Sequence, residues 1–160
     1  MENKLGVSNS KLFDIERKIV NFKLNLLDEY ITFNKNIFEF QYLIELHKFL
    51  FSDLYFDKNL AIRNFDEVEI NNIETILVFI ENVCINNRDR IDELLSLIYK
   101  LWEMQPFQNG NTRTLIAYLY ILNKAFLLNM NIELNSEISN KTTFFELSES
   151  VNQNRLTKTK

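Results

Sequence analysis

Glycine and proline are almost missing from this chain: it has two glycines, Gly6 and Gly110, and one proline, Pro106. Strand-rich folds consume such residues in their tight turns, so the scarcity argues against a sandwich or barrel and predicts a mainly helical fold. A single cysteine, Cys84, excludes an internal disulfide framework, and with a single histidine, His47, the usual Cys/His zinc sites are excluded too. Positive charge is not in excess. The net charge is −4 and the pI about 5.1, the opposite of the basic stripe that neutralises phosphates in nucleic-acid binders. The short basic end, Arg155-Leu156-Thr157-Lys158-Thr159-Lys160, does not alter that balance. No run reaches the ~18 uninterrupted apolar residues of a membrane span. The N-terminal stretch MENKLGVSNSKLFDIERK has no apolar core of a secretion signal. The expectation is a cytoplasmic protein with neither a nucleic-acid nor a membrane partner.

What is present is helical periodicity. Leu12, Ile15, Ile19, Phe22 and Leu26 recur at steps of three and four, one face of an amphipathic helix. Ile37, Phe40, Ile44, His47 and Phe51 repeat the pattern in a second helix, and Ile70, Ile73, Leu77, Ile80 and Cys84 in a third. Ile91, Leu94, Ile98 and Leu101 define a fourth, and Leu115, Leu119, Leu122 and Phe126 a fifth. Asn135 to Val151, with Phe144, Phe145 and Leu147, reads as a weaker final helix. Ser52 to Glu69 holds Tyr55, Phe56, Ile62 and Phe65 without helical spacing, as a short hairpin or irregular flap would. The expected organisation is one all-α domain over 1–160: an N-terminal helix within 1–36, a core over 37–134, and a C-terminal helix and tail over 135–160. His47 lies on an apolar stripe and reads as a hydrogen-bonded structural histidine. Cys84 lies on another and reads as a buried, inert thiol.

The proline and the internal glycine meet in one segment, QPFQNGNTRT, Gln105 to Thr114. Proline disfavours helix at the residue before it, so the fourth helix must stop by Gln105. Gly110 permits a tight turn or a close approach to a ligand, and Asn111 is a suitable N-cap for the fifth helix. A glycine-containing loop feeding a helix N-terminus presents free N–H groups and a positive dipole end to an anion. Arg113, in the first turn, opposes that dipole by about 0.3–1 kcal/mol. Either a phosphate in its guanidinium fork or a neighbouring carboxylate offsets the cost.

The segment resembles the signature of the Fic family of AMP transferases, HxFx(D/E)GNGRxxR, and in particular the branch reading HPFxEGNTRT. Pro106, Phe107, Gly110, Asn111 and Arg113 match in order, and Thr112 follows the branch. LIELHKFLFSDLYF resembles the family's helix and lead-in to its target-docking flap, and AIRNF what remains of AGxxR, so the similarity runs from about Tyr42 to Arg155. The resemblance implies a Fic-type helical bundle that holds Mg-ATP as substrate and moves AMP onto a hydroxyl of a target protein. By the same resemblance, Gly110, Asn111 and Thr112 belong to the nucleotide-cradling turn, Arg113 holds the distal phosphates, and Phe107 packs inward to anchor the loop.

The departures fall on the chemistry. Gln105 stands where the family has its general base, a histidine, and an amide cannot take that proton near neutral pH. General acid–base catalysis is typically worth ~10²–10⁴ in rate. Asn109 stands where the family has its acidic Mg²⁺ ligand, and brings no negative charge to a cation that prefers carboxylates. Ile116 occupies the position of the second arginine. Thr142 to Glu146 matches part of the family's inhibitory pattern, (S/T)xxxE(G/N), but Leu147 breaks its end and the glutamate's arginine partner is missing. The leading reading is an inactive or strongly impaired transferase serving as a nucleotide- or protein-binding module. The alternatives are a working AMP transferase, and a helical interaction domain whose loop is only a turn.

Overall fold

A computed structural model describes residues 3–27, 36–55 and 65–130, and among them the apolar repeats close into five helices. These are α1 (Asn9–Asn25), α2 (Phe40–Phe51), α3 (Glu67–Asn86), α4 (Ile91–Met104) and α5 (Asn111–Phe126). No strand is found among the described residues beyond an isolated antiparallel bridge between Asn3 and Tyr55. No described helix is long and apolar enough to cross a membrane.

Local chemistry explains the boundaries. The Asp66 carboxylate accepts from the Glu69 N–H at 2.8 Å and caps α3, and Glu67 and Glu69 complement the dipole in its first turn. The flap segment therefore ends at Asp66 rather than Glu69. Four residues from Asn87 to Arg90 reverse the chain into α4, so α3 and α4 form an antiparallel hairpin. Helix α4 ends at Met104, since Pro106 disfavours helical geometry at Gln105.

Helix α5 lies at the centre. Thr114 through Leu119 are buried without interruption, the mark of a helix wrapped on all sides. Its neighbours are α2, α3 and α4, while α1 lies against α2. The buried Tyr118 hydroxyl donates to the Ile37 carbonyl at 2.6 Å. From the last turns of the helix, the Asn123 amide accepts from the Met130 N–H and donates to its carbonyl, both at 2.9 Å, closing the C-terminal turn.

Two helices differ from their sequence reading. Helix α2 begins at Phe40, so Ile37 precedes it, and its buried face adds Tyr42, Leu43, Leu46 and Leu50 to Phe40, His47 and Phe51. In α1 the inward stripe is Leu12, Glu16, Val20 and Leu24, and Phe22 is 61% exposed. The stripe is rotated because a carboxylate, Glu16, faces inward to meet a cation on α5. Cys84 is buried and free, and burial pushes its thiol up to about 12. The expected final helix, Asn135 to Val151, the Thr142–Glu146 pattern and residues 56–64 of the flap lie outside the described residues.

Candidate functional site

The loop between α4 and α5 is held by its own side chains. Gln105 adopts the left-handed conformation, φ 47° and ψ 64°, which costs a non-glycine residue about 1–2 kcal/mol. Its side-chain amide closes the turn: Nε2 donates to the Trp102 carbonyl at 2.8 Å, and Oε1 accepts from Asn111 Nδ2 at 3.1 Å. Asn111 also braces the loop from inside, accepting from the Phe107 N–H and donating to the Phe107 carbonyl, each at 2.9 Å. The sequence expectation of Asn111 as N-cap is thereby corrected. The cap is Gly110, and Asn111 is the first helical residue.

Gly110 has φ 75° and ψ 14°, and a Cβ there would meet ring atoms of Phe51 at 2.5 and 2.7 Å. Only glycine allows the turn to sit against that ring. Its lack of a side-chain cap bond leaves the first-turn N–H groups of α5 without a capping oxygen from it. Thr112 accepts from Trp102 Nε1 at 2.9 Å and ties the two helix ends together.

His47 supports the loop from α2. Its ring stacks on Phe107 with centroids 4.1 Å apart and planes 5° from parallel, and Nε2 lies 2.9 Å from the Asn109 carbonyl. Burial lowers its pKa to about 4, against a smaller opposing effect of that hydrogen bond. The neutral ring donates Nε2–H to the carbonyl, and Nδ1 is buried with no partner among the described residues. The structural reading of His47 holds, and Phe107 packs inward, 1% exposed.

Arg113 meets a carboxylate. Its NH2 pairs with Glu16 Oε1, and the side chains are 10% and 12% exposed. The other Glu16 oxygen accepts from the Tyr55 hydroxyl at 2.7 Å. The guanidinium also sits over the Phe51 ring, 5.2 Å from its centroid. Burial and then the Glu16 carboxylate hold the Tyr55 phenol well above its ordinary range, and the Asn109 side chain is in hydrogen-bonding reach of the same hydroxyl. Nε and NH1 of Arg113 are buried with no partner among the described residues.

Gln105, Phe107, Asn109, Gly110, Asn111, Thr112 and Arg113 are thus brought together in one turn, with His47 beneath it. Ile116 is buried in α5, 2% exposed. Glu16 and Tyr55 are members that sequence reasoning missed. The available signal for Glu16 was a lone acid with Leu12, Phe13, Ile19 and Val20 at its three- and four-residue neighbours. No cation lies within helical reach, so its countercharge had to come from elsewhere in the chain.

No family model and no curated protein sequence matches the chain. Among solved structures it is similar to the crystal structure of BepC from Bartonella tribocorum, a VirB-translocated effector protein, with bound AMPPNP. The TM-score is 0.69 at 15% identity, over 94% of this chain and 91% of that one. A likeness at that identity speaks for the fold, and the fold is the all-α, Fic-type bundle that the sequence predicts.

Proposed function

We propose that this Fic-type bundle binds an adenine nucleotide at the Gln105–Arg113 turn and does not transfer its AMP group. The observation that carries the reading is the state of Gln105, whose two side-chain polar atoms are spent on Trp102 and Asn111. From Gln105 to Asn111 the loop contains no titratable group. His47, the nearby imidazole, stacks on Phe107 and turns Nε2 to a backbone carbonyl. Nothing in the turn takes a proton from an incoming hydroxyl.

The turn retains what an anion needs. Gly110 starts α5 without a side-chain cap, and Arg113 keeps two donor nitrogens without partners among the described residues. Phosphates would meet those donors and the first-turn N–H groups, in competition with the Glu16 carboxylate. A protein-held Mg²⁺ does not fit the turn, where Asn109 offers an amide oxygen and no carboxylate. Among the described residues no cluster of three His, Cys, Asp or Glu side chains is placed to hold a metal ion. Any metal here would arrive on the nucleotide.

The test is transfer of label from α-phosphate-labelled ATP in cell lysate, with wild type beside a Gln105→His, Asn109→Glu double variant. A saturable rise in melting temperature with Mg-ATP is measured in parallel. The proposal expects a melting shift in both proteins and label from the variant alone. Label transferred by the wild type overturns it. The Glu16–Arg113 pair favours a second reading, in which the arginine is a structural cation and the loop only a turn. That reading expects no melting shift with nucleotide.

A further inference from the structure

Among the described residues, four of the seven exposed large hydrophobic side chains lie on the outward face of α3. Val68, Val78, Phe79 and Ile85 are 65%, 62%, 54% and 49% exposed. Between them, on the same side of the helix, lie Asn71, Asn72, Thr75, Asn82 and Asn86, all exposed and none charged. The helix has four carboxylates, Glu67, Glu69, Glu74 and Glu81, and no lysine or arginine. Glu67, Glu74 and Glu81 recur at seven-residue steps and so form a row along one edge of the apolar face. Along the other edge, a groove of about 470 Å³ opens between α3 and α4, lined by Asn72, Thr75, Ile76, Lys100, Glu103 and Met104.

A single-signed charge row beside an exposed apolar stripe is the layout of a helix that selects its partner by edge charge. We propose that this face docks an amphipathic helix of another protein, whose apolar stripe covers Val78, Phe79 and Ile85 and whose basic edge lies along Glu67, Glu74 and Glu81. Charge complementarity favours that occupant over an antiparallel second copy of the chain. In a two-fold antiparallel pair of α3 helices each edge faces itself, so the three glutamates would meet three glutamates. Like charges at that spacing are destabilising. The net charge of −4 on the chain adds to the repulsion. A basic edge on the partner satisfies the row in either orientation, and the α3–α4 groove accepts a side chain from its apolar stripe. The groove's Met104 adjoins Gln105, but the proposal uses neither Gln105 nor Arg113 and does not rest on nucleotide binding.

Two fluorescent helical peptides with the same leucine stripe test it, one with lysines along the stripe's edge and one with glutamates there. Fluorescence anisotropy is read on the full chain, with sedimentation over the same protein concentrations. The expected result is binding of the lysine peptide, roughly tenfold or more tighter than the glutamate peptide, as three exposed ion pairs of ordinary strength allow. A Val78→Ser, Phe79→Ser variant keeps the wild-type melting temperature and loses that binding. A Glu74→Lys, Glu81→Lys variant reverses the preference between the peptides. Equal binding of both peptides, binding of neither, or an unreversed preference overturns the proposal. So does a concentration-dependent dimer that Phe79→Ser abolishes, because the face would then belong to a second copy.

Discussion

Replacing Glu16 with glutamine keeps the side chain's length and removes only its charge, leaving Arg113 as a cation nine-tenths withdrawn from water. The structure sets the size of the effect. The Arg113 side chain is 10% exposed, and its Nε and NH1 have no other partner among the described residues. Removing one member of a buried ion pair costs ~3–5 kcal/mol. The residual exposure and the carbonyl that glutamine retains for Tyr55 or Arg113 bring the expectation to about 2–4 kcal/mol. For a chain of this size that corresponds to a melting temperature lower by roughly 10 °C. Urea unfolding should show a lower midpoint at an unchanged slope. The cycle of Glu16→Leu, Arg113→Met and their combination separates the pair from its packing. Each single variant leaves a buried charge alone, whereas the double variant leaves none. A coupling of about 2 kcal/mol is expected. A Glu16→Gln variant as stable as wild type, or additive single losses, would refute the buried pair. On the proposed nucleotide site Glu16 would compete with phosphate for Arg113, so the same variant should gain more in melting temperature from Mg-ATP than wild type does.

The remaining predictions concern the supports of the loop. His47 titrates near 6.5 unfolded and about 4 folded, so the unfolded chain takes up the proton first. Its contribution is whole above the unfolded pKa and fades as pH falls from there toward 4, by ~3 kcal/mol at most. The stability gap between wild type and His47→Gln should therefore narrow over that window, and a constant gap would contradict a neutral buried ring. Gly110→Ala places a methyl in the Phe51 ring at positive φ, whereas a Cβ at Gly6, also at positive φ, meets nothing within 4 Å. Urea titration should show losses of about 2–4 and about 1 kcal/mol respectively. Equal losses would mean that Phe51 yields freely.

Much of this architecture was legible because periodicity is a local signal. Ile91, Leu94, Ile98 and Leu101 all turn inward on α4, and Ile73, Leu77, Ile80 and Cys84 on α3, because nothing polar interrupts those stripes. Pro106 and Gly110 marked the loop between α4 and α5 for the same reason: their backbone demands act on adjacent residues. The face of α1 was misread because a hydrophobic period counts Phe22 as core and Glu16 as surface, and the true face is set by an arginine 97 residues away. Asn111 was assigned as the cap because its type suits one, but the fold uses both ends of its amide on Phe107, four residues earlier. At the site, the loop residues were recognisable from their order. Glu16 and Tyr55 were not: the apolar neighbours of Glu16 call for a distant countercharge without naming it, and Tyr55 carries no such signal.

The span of the Glu16–Arg113 link also bears on the order in which the chain assembles. Contacts between α3 and α4 close over a four-residue turn and need little loop entropy, so that hairpin is the natural early structure. Helix α1 is synthesised well before α5, yet its inward carboxylate has no countercharge until residue 113 has been made and placed. A helix with an unpaired acid on its apolar face gains little from docking early. The N-terminal helix should therefore join last, closing onto a bundle whose centre is already built.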